Sequence, residues 1–382
     1  MLRFLTAGES HGKSLITIIE GFPAGLKVNI GFINSELERR QKGYGRGERM
    51  MIEKDEVEVL SGIRLGRTTG SPLSFLIRNK DFPAWERILS IEEKEVEEVL
   101  LPRPGHADLS GYLKYGLDDL RDVIERASAR ETAARVAAGA MAKLLLKEFN
   151  IEIFSFTIAV GKRRARIEGE WDEIKEKAES SALRCPDKRG EEEMIKEIER
   201  AKEKGDSLGG IFQVVAIGVP PGLGSYVHWD KRLDARLAFA IMSIPSVKGV
   251  EIGEGFSSPS IYGSSFHDEI FYDKRKGFFR ITNRAGGIEG GVSNGEPIVL
   301  RGAVKPVPTL AKPLHSVHLK SKSSAPAHKE RADVCVVPSA GVIAEAMTAW
   351  ILADAFLEKF GGDCLKDIKR SYENYLERLK RV

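Results

Sequence analysis

Several short segments of this 382-residue chain gather glycine, arginine and histidine in patterns that could do chemistry. In Gly8-Glu9-Ser10-His11-Gly12 the two glycines let backbone approach a ligand and leave the imidazole exposed, and histidine is readily poised for proton transfer near neutral pH. A structural histidine in a turn fits the same residues, and the spacing does not match a GxSxG nucleophile elbow. The run Arg39-Arg40-Gln41-Lys42-Gly43-Tyr44-Gly45-Arg46-Gly47-Glu48-Arg49 sets five basic side chains against Glu48. Guanidinium forks match phosphate and carboxylate oxygens, and the glycines would let the loop wrap an anion. A solvated basic loop is the plainer alternative, and a nucleic-acid loop would have only Tyr44 for base stacking.

A third segment, Arg103-Pro104-Gly105-His106-Ala107-Asp108, holds its histidine in a stiff irregular loop, and Arg121 and Glu125 to Glu131 follow. There Ser128 is predicted to cap a helix, with Glu131 completing a capping box. The helix start, flanked by Arg126 and Arg130, would offer unpaired N–H groups and a favourable dipole to an anion. The glycine-rich stretch from Asn283 to Gly295 and the rigid Lys305-Pro306-Val307-Pro308-Thr309 suit a mononucleotide or flavin phosphate, although no GxGxxG unit is present. Arg331-Ala332-Asp333 is either a surface ion pair or, at a cleft, an anion clamp beside a proton acceptor. His315 and His318 have no carboxylate or thiol ligands nearby in the sequence, so no metal site is expected.

These segments need a scaffold. The pattern predicts strand, glycine-rich turn and strand over residues 2–30, and a helix over 36–42 capped by Asn34 or Ser35. Strands are predicted at 51–60, 73–77, 151–160, 209–217, 247–255 and 278–281. Helices are predicted at 91–101, 128–149, 233–241 and 341–360, the last stopped by Gly361-Gly362. The alanines of the two long helices imply close packing against another helix. A highly charged stretch, 162–204, reads as a peripheral excursion of two solvent-facing helices. Mixed strands and helices without regular βαβ spacing favour an α+β fold, with a loose internal duplication of the two long helices.

A formal charge of +3 offers no global argument for nucleic acid. Cys185, Cys335 and Cys364 lack CxxC spacing, so reduced thiols are expected, not a disulfide framework or a structural zinc. The N-terminal residues lack a signal-like stretch and no run approaches a membrane span, which leads to the expectation of a cytoplasmic protein without membrane partners.

Taken together, the segments closely resemble the chorismate synthase family. The matches are FLTAGESHG, GRGERM, Ser61-Gly62-Ile63-Arg64, GHADLSGYLKYG at 105–116, RASARETAARVAAGA at 126–140, IMSIPSVKGVEIG at 241–253, NRAGGIEGG at 283–291, KPVPT at 305–309 and RADVCVVPSAG at 331–341. The resemblance implies one large β-α-β sandwich domain over 1–382 with internal pseudo-symmetry, a peripheral excursion at about 162–206, and a homotetramer. It implies a lyase that turns 5-enolpyruvylshikimate 3-phosphate into chorismate and phosphate by 1,4-anti elimination, using reduced FMN. NADPH would be only an indirect electron source, through an external flavin reductase.

By the same resemblance, His11 corresponds to the histidine near the departing phosphate, His106 to the one that adjusts flavin protonation, and Asp333 to the carboxylate of a base relay. Arg40, Arg46, Arg49, Arg103, Arg130 and Arg331 correspond to the clamp around substrate. Arg126, Ala127, Ser128, Pro245, Ser246, Gly290, Lys305, Pro306, Val307, Pro308, Thr309 and Arg331 correspond to FMN contacts. Ser246 stands where alanine is common and Ala332 where serine is usual, which removes one hydroxyl from the relay but not its carboxylate.

Overall fold

The structure is a computed structural model that describes residues 2–47, 53–92, 94–275, 277–330 and 333–382. Its main elements in the first half are β1 (Arg3–Ala7), β2 (Ser14–Glu20), α1 (Ile30–Gln41), β3 (Val57–Ser61), β4 (Leu73–Arg78), α2 (Asp108–Tyr115), α3 (Arg121–Ala127) and α4 (Thr132–Lys147). The second half has β5 (Glu152–Val160), α5 (Trp171–Ser180), α6 (Lys188–Glu203), β6 (Gly210–Ile217), α7 (Leu233–Met242), β7 (Val247–Ile252), β8 (Ile298–Val304), α8 (Val337–Phe360) and α9 (Leu365–Leu379).

Strand alternation builds the first sheet. Leu15, Thr17 and Ile19 of β2 point inward, and Leu73, Phe75 and Ile77 of β4 do the same beside them. The order is β1-β2-β4-β3, antiparallel throughout. In the second sheet the four long strands run β7-β8-β6-β5, also antiparallel. Each sheet therefore has its fourth strand between its second and third. In each, one helix (α1 or α7) links the second strand to the third, and a long helix (α4 or α8) follows the fourth. This is the internal pseudo-symmetry of a β-α-β sandwich. The alanine-rich α4 and α8 lie face to face between the sheets: a Cβ added to Gly139 would come 2.3 Å from Ala346 Cβ.

The charged excursion is not simply solvent-facing. Phe154, Phe156 and Ile158 stand on the outer face of β5, and α5 covers them with Ile174 and Ala178. Helix α6 buries Met194, Ile198 and Ala201.

Other expectations are corrected. Helix α1 starts at Ile30, because Asn29 Oδ1 accepts from Phe32 N at 3.1 Å; Asn34 instead accepts from Val57 N. The segment 91–101 contains no helix among its described residues. Its backbone serves neighbours: Leu120 N donates to Val99 O, Leu319 N to Leu100 O, and His328 N to Leu101 O. The strand expected from residue 51 begins at Val57, and residues 51 and 52 lie outside the described set. Ser128 caps a single 3₁₀ turn through Arg130 N, and α4 starts at Thr132, with Glu131 paired to Arg135 at 2.8 Å instead of closing a capping box. Helix α8 begins at Val337, four residues early, with Pro338 in its first turn. It is also long and apolar enough by composition to cross a membrane, against expectation, but 83% of its most apolar stretch is packed inside the protein.

Candidate functional site

One cavity of about 620 Å³ opens where the ends of α1, α3, α4 and α8 meet the loops after β4, α7 and β8. Its wall includes His11, Arg40, Arg46, Arg103, His106, Ala127, Ser128, Arg130, Pro245, Ser246, Lys305, Val307, Pro308, Thr309 and Asp333, all singled out in the sequence. Arg126, Gly290 and Pro306 do not line it. Arg126 donates to the Thr6 and Gly8 carbonyls and faces a smaller recess of about 280 Å³ that shares Ala127 and Pro245 with the main cavity. Gly290 sits at the turn of a separate small hairpin. Arg49, Arg331 and Ala332 lie outside the described residues.

The backbone of the first loop explains the placement of His11. Gly8 adopts φ +106°, and a side chain there would meet Ser14 O at 2.2 Å, so only glycine lets β1 turn this tightly. His11 is 8% exposed, and its Nδ1 lies 2.9 Å from Glu125 Oε1, while its backbone N donates to Glu125 Oε2 at 2.8 Å. With Nδ1 engaged by a buried carboxylate, Nε2 is the nitrogen left for chemistry. Trp85, on the loop after β4, stacks on the imidazole with centroids 4.0 Å apart, and Arg121 lies over the indole.

His106 is built the same way. Its Nδ1 meets Asp108 Oδ1, and Asp108 also accepts from Arg103 N at 3.0 Å and Arg103 Nε at 2.8 Å. Burial would raise the Asp108 pKa, but the His106 and Arg103 hydrogen bonds overcome it and hold the carboxyl well below the usual range. Arg103 continues to Thr309 Oγ1 at 3.1 Å and Glu330 at 3.2 Å, and Lys305 Nζ donates to Gly105 O. The 305–309 segment is thereby stitched to the His106 loop. Glu330, pressed upward by burial, is brought down to about 2 by His328, Arg103 and Arg121.

The opposite corner is crowded with guanidinium. Arg130 Nη1 forms a fork with both Asp55 oxygens at 2.7 Å, and Arg130 Nε donates to Asn79 Oδ1 at 3.0 Å. Arg40 donates to Thr132 Oγ1 and Ala129 O and reaches the same Asp55 at 3.5 Å. Burial, together with Arg130 and Arg46, pushes Arg40 down to about 9 against the pull of Asp55. Arg40, Arg46 and Arg130 face Asp55, Glu53 and Asp333, so the corner holds three fixed guanidiniums, and an incoming anion would draw on the donors those carboxylates leave unused. Arg130 Nη2 is buried with no hydrogen-bond partner among the described residues, 3.7 Å from Glu53 Oε2. Asp333 accepts from Gly47 N at 2.6 Å and pairs with Arg46 at 3.2 Å. Ile124, Val307, Val336, Ala340 and Ile343 give the cavity an apolar wall, and Ser246 is held there at φ +72°, a strained position for a residue with a side chain.

Sequence reasoning noted Arg121 without assigning it a role and passed over Trp85, Asp55 and Glu330. The carboxylates at 108 and 125 lay within quoted motifs, but nothing in their spacing paired them with particular histidines.

Comparison with known proteins is unambiguous. A sequence profile described as chorismate synthase matches residues 2–357. The chain is 54% identical over 380 residues to the chorismate synthase of Carboxydothermus hydrogenoformans, with 99% of each chain covered. It is 56% identical over 383 residues to that of Endomicrobium trichonymphae, with 100% of each covered. A solved structure titled as a crystal structure of chorismate synthase superposes with a TM-score of 0.81 at 45% identity, covering 100% of this chain and 99% of the other.

Proposed function

The chain belongs to the chorismate synthase family, and we propose that the 620 Å³ cavity is where it works. Its reaction is that of the family: a lyase step that takes 5-enolpyruvylshikimate 3-phosphate to chorismate and phosphate, with the FMN dependence typical of these enzymes. The observation that carries the site assignment is convergence. Histidines, arginines and an aspartate from segments scattered between residues 10 and 333 line one cavity, with Arg40, Arg46 and Arg130 close enough to feel one another's charge.

In this reading Arg40, Arg46, Arg103 and Arg130, with Arg49 and Arg331, bind the phosphate and carboxylates of the substrate. Arg130 Nη2, ion-paired with Glu53 at 3.7 Å but making no hydrogen bond among the described residues, can donate to a substrate oxygen. Fixed guanidiniums in the cavity wall stabilise charge as it gathers on the departing phosphate, without reorganising. His11, oriented by Glu125, donates a proton to that phosphate from Nε2. Asp333, held by Arg46 and Gly47 N, accepts the proton that leaves the substrate ring. His106, fixed by Asp108, holds a proton at the flavin edge.

The residues fit the cofactor: a cavity in the range of about 300–1,000 Å³ with an apolar wall and few polar anchors suits an organic ligand of that class. Ala127, Ser128, Pro245, Ser246, Lys305, Val307, Pro308 and Thr309 would hold it, with Arg126, Gly290, Pro306 and Arg331 completing the set. Reduced flavin, when bound, supplies electron density to the substrate as phosphate departs.

The proposal extends to one domain over 1–382, a homotetramer in the cytoplasm, and flavin reduced elsewhere with NADPH as the indirect electron source. The large apolar residues Tyr226, Trp229, Phe239, Phe256, Tyr262 and Phe278 are exposed in the single chain, apolar surface that a homotetramer would have available to bury. The deciding assay is phosphate release from 5-enolpyruvylshikimate 3-phosphate under anaerobic conditions. Release should occur only with reduced FMN; release that persists without flavin, or none at all, would refute the reading. Turnover in air with NADPH and oxidised FMN alone would refute the external reductase.

A further inference from the structure

The charged excursion contributes no side chain to the cavity, yet it grips the two backbone segments that carry Arg40 and Arg46 into it. One grip is on α1. Glu179, in the last turn of α5, accepts from Arg39 Nη2 at 2.5 Å and Arg39 Nε at 3.2 Å, and Arg39 immediately precedes Arg40. Arg184, just past α5, holds the same Glu179 and also the fully buried Glu345 of α8 at 3.1 Å.

The other grip is on the loop after α1. Tyr44 N donates to Ala182 O at 2.9 Å, and Tyr44 Oη donates to Glu199 Oε1 of α6 at 2.6 Å. Gly45 then threads between α6 and the strand-like stretch at 334–335: a Cβ there would sit 3.1 Å from Cys335 Cβ and 3.3 Å from Ile198 Cγ2. Val334 N donates to Gly45 O at 2.8 Å, and the next two residues deliver Arg46 and Gly47 N to Asp333. A loop with glycine at 43, 45 and 47 has many alternative conformations, so its single observed path needs an external tether. Beside the backbone bonds to Ala182 and Val334, Tyr44–Glu199 is the side-chain part of that tether, a charge-assisted bond from a residue with no glycine freedom to an anchored helix.

We propose that the α5–α6 excursion is a positioning element for the anion clamp, and that Glu199, acting through Tyr44, sets the place of Arg46 against substrate. This rests on the reading that Arg46 binds the phosphosubstrate. Neither Tyr44 nor Glu199 lines the cavity, so their effect is on how well Arg46 meets its anion.

The test is steady-state kinetics under anaerobic conditions with reduced FMN, alongside FMN binding and thermal unfolding, for Tyr44→Phe, Glu199→Gln, their double variant and Arg46→Ala. Tyr44→Phe should raise KM for 5-enolpyruvylshikimate 3-phosphate about tenfold, the order expected for losing one hydrogen bond to a charged group, and Glu199→Gln, whose amide oxygen still accepts from Tyr44 Oη without the charge, about threefold. The turnover number and FMN affinity should stay within about twofold, and the double variant should match Tyr44→Phe, because without the Tyr44 hydroxyl residue 199 has no bond left to lose. Tyr44→Phe should add nothing on an Arg46→Ala background. If Arg46→Ala raises KM and the Tyr44 and Glu199 variants do not, the positioning role is overturned while the clamp stands. If Arg46→Ala leaves KM unchanged, the clamp reading of Arg46 fails and the proposal falls with it. A parallel fall in turnover, FMN affinity and thermal stability in the conservative variants would mark general damage and also overturn it.

Discussion

His11 and His106, two of the histidines in the cavity wall, are held at Nδ1 by a buried carboxylate, Glu125 for His11 and Asp108 for His106. That pairing settles which ring nitrogen each can use and keeps the imidazole from swinging away, the same logic by which a buried aspartate orients the histidine of a hydrolase triad. Removing a positioned acid or base costs about 10²-fold or more in rate. His106→Ala and Asp333→Asn should therefore depress turnover by about that factor while FMN affinity changes far less; parent-like turnover would take either residue out of the mechanism. The histidines themselves were legible in the sequence because each lies among glycines or prolines. Their carboxylate partners were not, since a contact such as His11–Glu125 spans 114 positions of chain. Trp85 carried no signal at all: a lone tryptophan in a loop reads the same whether it faces solvent or covers an imidazole.

At the level of elements, the long helices were visible from their alanines, and the reason is steric. At Gly139 the α4 and α8 backbones approach so closely that even a methyl group meets Ala346 Cα at 2.5 Å and its carbonyl oxygen at 2.6 Å. Gly139→Ala would gain about 1 kcal/mol of helix propensity but incur about 3 kcal/mol of overpacking. A net loss of about 2 kcal/mol in denaturant unfolding is expected, and an equal or more stable variant would contradict this packing. Element boundaries were less legible. The helix expected at 91–101 had charge spacing in its favour, but its carbonyls are claimed by Leu120, Leu319 and His328, partners distant in sequence. The start of α1 moved for a similar reason: Asn29 makes the cap, and Asn34 is drawn off to Val57.

Across the whole molecule, buried carboxylates make stability depend on acid. Burial opposes ionisation of Glu345, but Arg39, Lys143 and Arg184 outweigh it and hold its pKa well below normal, as His106 and Arg103 do for Asp108. Glu330 is at about 2. A carboxyl whose folded pKa lies below its unfolded value contributes stability above the unfolded value, about 4, and loses it as pH falls through the folded one. The melting temperature should therefore be level above about pH 5 and fall steeply from about pH 4 toward pH 2; an unchanged melting temperature at pH 3 would contradict the network. Glu345→Gln should cost about 3 kcal/mol at pH 7, because three buried cations lose a shared carboxylate and keep only Glu36 and Glu179 among the described residues. Its melting temperature should fall less between pH 7 and pH 3 than that of the parent.

Local chemistry, hydrophobic period and glycine placement were enough to indicate an anion-handling site in a protein of mixed α and β structure, because those signals depend only on neighbours along the chain; the flavin and the reaction came from the resemblance to a family. The 1-2-4-3 strand order shared by both sheets was not among them, nor was the meeting of segments 8–12, 103–108, 126–130 and 305–309 around one cavity. Strand order and cavity walls are set by which apolar faces bury one another across hundreds of positions. The same holds for the charged excursion, which reads as solvated surface until folding lays Ile174 and Ala178 on β5 and brings Glu199 to Tyr44. Charge density reports which side chains prefer water; only the packed structure decides which face of a helix is left to meet it.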